Sequence, residues 1–154
     1  MTDQVTTRPV VREDFSAWNP LWDGYNAFYG RSGPTALAPA ITEMTWSRFF
    51  DAYEPMHARV GERGGRLLGL VHFLYHRSTI HLAPVCYLQD LFTVAEVRGQ
   101  GVGRALIEAV YGHAAAAGIP RVYWLTHETN TVAMRLYDQL AEKSGFVVYR
   151  KTVQ

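Results

Sequence analysis

Leu91-Phe92-Thr93-Val94-Ala95-Glu96-Val97-Arg98-Gly99-Gln100-Gly101-Val102-Gly103-Arg104 is an apolar, strand-like run that opens into a loop with three glycines in five residues and passes at once into a helical period. Glycines let a backbone approach a ligand closely, and the N–H groups of a helix's first turn have no partner inside the helix. With the helix dipole they make an anion site suited to a phosphate group, to which Arg98 and Arg104 add charge-assisted donors. A Walker loop would need a lysine that is missing here. A Rossmann fingerprint would need a glycine where Arg104 stands (counting from Gly99) or where Leu106 stands (counting from Gly101). A tight strand-to-helix turn with no ligand is the plain structural alternative, and the loop alone leaves it open.

Working outward, residues 102–117 carry Leu106, Ile107, Val110 and Tyr111 at helical spacing and close at Gly118. Residues 82–94 form the strand that feeds the loop. Upstream, His57–Val60 and Arg66–Tyr75 read as a hairpin around the glycines of 61–65. Earlier still, Trp18, Leu21, Trp22, Tyr25, Phe28 and Tyr29 mark one face of a helix that Gly30–Pro34 stops. A second helix is expected over 42–53, and a first strand over Pro9–Val11. Downstream come a short strand at 121–126, a helix over 130–143 and a last strand over 146–151. The order β-α-α-β-β-β-α-β-α-β predicts one mixed α/β (α+β) domain spanning 1–154, with an antiparallel front and a crossover helix in its second half.

Composition narrows the function. The 154 residues are 48% hydrophobic and 19% charged, with 15 Lys+Arg against 14 Asp+Glu, which fits one folded domain and excludes a disordered chain. A net charge of +1 gives no case for nucleic acid. No apolar run approaches the roughly 18 residues of a membrane span. The single cysteine, Cys86, excludes an internal disulfide and points to a reducing, cytoplasmic home. His72 and His76 share a strand face without a third ligand at metal spacing, so no metal is expected. The charge is uneven: residues 1–62 hold 8 acidic and 5 basic side chains, residues 63–154 hold 6 and 10.

Arg98–Gly103, as Arg-x-x-Gly-x-Gly, resembles the pyrophosphate loop of the GNAT N-acetyltransferase superfamily. Leu91-Phe92-Thr93 with Ala95 lies in register with the strand before that loop, although Thr93 and Ala95 depart from the commonest residues. Asn130-Thr131-Val132-Ala133-Met134-Arg135-Leu136-Tyr137 is similar to the second signature of the family, and Ser144-Gly145-Phe146 follows as its Gly-Phe does. Tyr87–Phe92 resembles the Leu-Glu-Asp-Leu strand of polyamine acetyltransferases. Residues 123–134 and 72–78, with the aromatic helix 18–29, resemble fungal members that acetylate histones, polyamines or D-amino acids.

The resemblance implies a mostly antiparallel mixed sheet flanked by helices, with acetyl-CoA bound at a splayed central strand. It implies acetyl transfer to a primary amine of a small molecule or an exposed lysine, by direct attack, in a homodimer. Leu91, Phe92 and Thr93 would meet the cofactor arm, Arg98, Gly99, Gln100, Gly101, Val102, Gly103 and Arg104 its pyrophosphate, and Asn130 the arm near the reacting end. Tyr137 would be the acid for the departing thiolate. A lysine-like amine, with a pKa of about 10.4, needs its proton removed. The carboxylate expected before Asp90 is Gln89 here, which leaves Asp90 as base, water relay or amine anchor, and Glu128 as a second candidate. Trp22, Tyr25, Tyr29 and His76 are candidate walls of the acceptor pocket; aromatic faces attract alkylammonium groups. A non-catalytic acyl-CoA sensor on the same fold and a nucleotide-binding module are the rival readings.

Overall fold

The computed structural model describes residues 4–154. They divide into two compact units, the first ending at Trp124 and the second spanning Leu125–Gln154. The first unit is built on a sheet of order β1-β2-β3-β4-β5, with strands Thr6–Pro9, Met56–Arg63, Arg66–His76, Val85–Thr93 and Val122–Tyr123. Pairing is antiparallel from β1 to β4 and parallel between β4 and β5. The helices of this unit are α1 (Phe15–Phe28), α2 (Pro39–Arg48) and α3 (Val102–Ala116).

Strand alternation decides which helix covers which face. Leu70 and His72 of β3 face α1, where Trp18, Leu21 and Trp22 form the buried core with Trp46 of α2. Phe73, one residue on, faces the other way and meets His113 of α3, while Leu106, Ile107 and Val110 of α3 are fully buried. Fully burying each such aliphatic side chain is worth about 1.5–3 kcal/mol.

The second unit holds one helix, α4 (Thr131–Leu140). Ala133, Leu136, Tyr137 and Leu140 recur along it at helical spacing, and none of its residues is fully buried.

Several boundaries differ from the sequence reading. β1 ends at Pro9 instead of running over Pro9–Val11, because its pairing with β2 (Thr6↔Glu62 to Pro9↔Arg59) is fixed by the ladder and not by the apolar run. α2 begins at Pro39, whose fixed φ suits a first helical turn, and ends at Arg48 rather than near Tyr53. β5 is two residues long. The strand expected over 146–151 is absent: Phe146, Val147, Val148 and Tyr149 are exposed, and the second unit contains no strand to pair with. High strand propensity without a hydrogen-bonding neighbour leaves the backbone irregular.

Candidate active site

β4 supplies the centre. Its pairing with β3 runs from Val85 to Thr93, but β5 pairs with it only at Cys86 and Tyr87. From Leu88 onward the other edge of β4 has no strand beside it among the described residues. That splayed edge, carrying Leu91, Phe92 and Thr93, leads through a turn at Ala95–Val97 into the glycine loop.

The loop is shaped by positive φ. Gly99 has φ 79° and Gly101, the residue before α3, has φ 87°, a conformation that costs an L side chain about 1–2 kcal/mol. A Cβ at either glycine would point into open space, so backbone conformation, and not crowding, demands glycine there. Gly101 provides no side-chain cap for α3, and the first intrahelical bond runs from the Ala105 N–H to the Gly101 carbonyl at 3.0 Å. Val102 is buried and anchors the helix start, while Gly103 and Arg104 continue its first turn. Arg98 lies over the Phe92 ring at 5.9 Å, Gln100 donates to the Glu96 carbonyl at 3.1 Å, and Arg104 reaches Glu108 at 3.8 Å. Uncapped helix start, open loop and two arginines fit a pyrophosphate group.

Toward α1, a bulge decides where Asp90 points. His72 pairs with Asp90 and Phe73 with Leu88, which leaves Gln89 as the extra residue on β4. Without it, Leu88 and Asp90 would share a face. With it, Leu88 sides with Phe73 toward α3, and Asp90 joins His72 toward α1. Gln89 itself is exposed.

Asp90 is thereby held in a buried polar chain. The Trp18 indole N–H donates to His72 Nε2 at 3.0 Å, and His72 Nδ1 lies 2.9 Å from Asp90 Oδ2. Because an indole nitrogen can only donate, Nε2 accepts, and the Nδ1–H donates to the carboxylate: His72 is neutral in this arrangement. Asp90 and His72 are 8% and 3% exposed. Tyr25 is beside the same carboxylate. Burial, then the Asp90 charge, holds its phenol well above the usual tyrosine value, with Arg31 acting in the opposite direction. Tyr87 is raised by burial first and by Asp90 next.

The remaining aromatic candidates divide. Trp22 is a core ring, 6% exposed, stacked on Tyr25 at 5.5 Å and donating to Thr42 Oγ1 at 3.1 Å. Tyr29 is exposed and packs edge-on against Tyr25 at 5.1 Å. His76 sits at the end of β3, accepting from the Tyr123 hydroxyl at 2.8 Å and donating to the Arg77 carbonyl at 2.9 Å. Asp90, Tyr25 and Tyr29 thus come together, with His76 further along β3 and the Tyr123–Tyr87 stack beside it.

Asn130, Glu128 and Tyr137 belong to the second unit. Asn130 opens α4 and donates from its amide to Thr126 Oγ1 at 3.2 Å. Glu128 is exposed in the turn that His127 closes by accepting from Thr129. Tyr137 is half-buried on α4. Sequence reasoning missed His72 and Trp18 as partners of Asp90. The signal was present as two polar-capable groups on predicted core faces, but the bulge that joins them leaves no mark in periodicity.

Among the described residues no three His, Cys, Asp or Glu side chains form a metal-type cluster, and no helix is long and apolar enough to cross a membrane.

Residues 18–141 match the family described as acetyltransferase (GNAT) family. The D-amino-acid N-acetyltransferase HPA3 of Saccharomyces cerevisiae is 33% identical over 153 residues, which is 98% of this chain and 92% of that protein. A solved structure of a probable acetyltransferase has a TM-score of 0.81 at 21% identity and covers 98% of both chains. AAC(6')-Iy in complex with the bisubstrate analog CoA-S-monomethyl-acetylneamine has a TM-score of 0.81 at 16% identity, covering 97% of this chain and 98% of its own. The last two are likenesses of fold.

Proposed function

The chain belongs to the acetyltransferase (GNAT) family and is with it an acyltransferase, and from that premise we propose that it moves an acetyl group from acetyl-CoA to the primary amine of a small molecule, of the amino-acid or polyamine kind. The observation that carries this reading is the continuity of β4's unpaired edge with the glycine loop. An extended pantetheine arm can pair with an open strand edge as a further strand would, and the loop that follows is built for its pyrophosphate.

In the reaction the amine nitrogen forms a bond to the acetyl carbon, the thioester C–S bond breaks, the amine gives up a proton and the thiolate takes one. A backbone N–H on the Leu91–Thr93 edge polarises the acetyl carbonyl. Arg98 and Arg104 hold the phosphates, and Asn130 contacts the arm. Tyr137 protonates the thiolate; a phenol with a pKa of about 10 can protonate a thiolate whose conjugate acid lies near about 8.5, with a small driving force. Asp90 receives the amine, as anchor or as base, and its burial beside His72 and Tyr25 supports this role over the exposed Glu128. The homodimer and the cytoplasmic setting belong to the same reading.

The test is release of free CoA thiol from acetyl-CoA across a panel of amino acids, polyamines and lysine peptides. Turnover with at least one amine is expected, and Tyr137→Phe should retain acetyl-CoA binding while lowering kcat by roughly 10²–10⁴-fold. Tight acetyl-CoA binding with no acceptor turned over would leave an acyl-CoA sensor instead.

A further inference from the structure

The last turn of α1 carries a second charged group toward the acceptor candidates. Gly30, with φ 78°, ends the helix in a Schellman arrangement: the Gly30 N–H bonds to the Ala27 carbonyl at 3.0 Å and the Arg31 N–H to the Asn26 carbonyl at 2.9 Å. This turn folds Arg31 back along the helix. Its guanidinium carbon then lies 5.4 Å from the Tyr29 ring centre and 5.9 Å from that of Tyr25.

The side chain is held as firmly as the backbone. Arg31 Nε donates to Asn26 Oδ1 at 2.7 Å, and the Asn26 amide donates in turn to the Trp22 carbonyl at 2.9 Å. Asn26 is 4% exposed. A buried asparagine is spent on orienting one arginine, and it holds that guanidinium through Nε. No carboxylate pairs with Arg31 among the described residues, whereas Arg8, Arg48, Arg66 and Arg104 are all carboxylate-paired. Tyr25 adjoins both charges: the Arg31 guanidinium lies over its ring, and its hydroxyl is beside Asp90.

We propose that Arg31 is the carboxylate-recognising residue of the acceptor site, so that Asp90 takes the amine and Arg31, over the Tyr25 ring, takes a carboxylate of the same molecule. The inference rests on the acceptor site proposed above and narrows it to acceptors that carry both charges, α-amino acids above amines without a carboxylate. A planar guanidinium with two free NH₂ groups suits a carboxylate's two oxygens. A polyamine would instead meet a fixed positive charge where it brings its own.

The experiment compares phenylalanine, phenylalaninamide and phenethylamine as acceptors, by CoA release and by calorimetric binding to the CoA-loaded protein. The wild type should favour phenylalanine, and Arg31→Gln should lower the preference for phenylalanine over phenethylamine by about tenfold or more, mostly through KM. Arg31→Lys keeps the charge but loses the fork, and it should fall between the two. A preference within twofold of wild type in Arg31→Gln, with turnover intact, overturns the role of Arg31 and leaves acetyl transfer standing. Calorimetric binding of phenylalanine that needs Arg31, with no CoA release, upholds the role and sinks the transferase reading. A thermal melt on each variant separates loss of selectivity from loss of fold.

Discussion

Asp90 is a buried carboxylate whose neighbours are set by a single inserted residue. His72 gives it one N–H, and Trp18 fixes which nitrogen of the imidazole carries that proton. Losing the charge therefore separates its two proposed roles. Asp90→Asn should lower kcat/KM for any accepted amine by about 10²-fold or more, in kcat where the residue acts as base and in KM where it acts as anchor. Steady-state kinetics at saturating acetyl-CoA makes the distinction, and unchanged kinetics would remove Asp90 from the mechanism. His72→Phe is expected to act through stability first, since it strands a buried carboxylate and an indole N–H, at about 1–3 kcal/mol for each unsatisfied group. These contacts were hidden from the sequence. Adjacent residues of a regular strand face opposite ways, and on that rule Asp90 does not simply replace the carboxylate missing at Gln89. Only the bulge at Gln89 turns it toward α1. Arg31 was invisible for a similar reason, because its direction comes from a Schellman turn at Gly30 and an asparagine read as part of an aromatic helix.

At the scale of elements, what was legible is what local chemistry dictates. The glycine loop could be read because positive φ at two positions admits few other residues, and α1 and α3 because their apolar spacing matches a helix face closely. The strand over 146–151 was misread because alternation reports propensity, while a ladder needs a partner. The start of the chain shows a further tie of this kind. Arg8 of β1 makes a paired contact with Asp14, at 2.7 and 2.9 Å, just before α1, and reaches Glu62 of β2 at 3.0 Å. Arg8, as the leading cause, holds the Asp14 carboxyl below its usual range. A carboxyl depressed in the folded state stabilises the protein fully above its unfolded pKa of about 3.9, and that contribution fades as pH falls through the folded value. Asp14→Asn should then cost about 1–3 kcal/mol near neutral pH. The gap in urea midpoint between mutant and wild type should hold from pH 7 to about 5 and close below about pH 4. A gap that persists undiminished in acid would show that Asp14 stabilises by packing and not by charge.

For the whole molecule, the near-neutral net charge conceals an uneven distribution of charge along the chain. Residues 63–154 carry the surplus of cations and include the Arg98–Arg104 loop. Residues 1–62 carry the surplus of anions and include the aromatic face of α1. A donor with several phosphates should therefore stabilise the folded chain through the loop alone, before any acceptor is present. A ligand at about 100 times its Kd adds about 2.7 kcal/mol, and for a chain of this length each kcal/mol moves the melting midpoint by about 2–4 °C. Acetyl-CoA at that excess should accordingly raise Tm by about 5–10 °C, and the gain should shrink in high salt as the phosphate contacts are screened. ATP and NAD at the same concentration should give little, because the loop has neither the lysine of a Walker motif nor the third glycine of a dinucleotide fingerprint. The contrast is decisive because all three ligands carry an adenine nucleotide and phosphates, so charge alone would shift Tm for each of them. A rise with ATP or NAD and none with acetyl-CoA would make the loop a nucleotide site; a rise with acetyl-CoA alone ties the loop to a ligand that also runs along the open edge of β4.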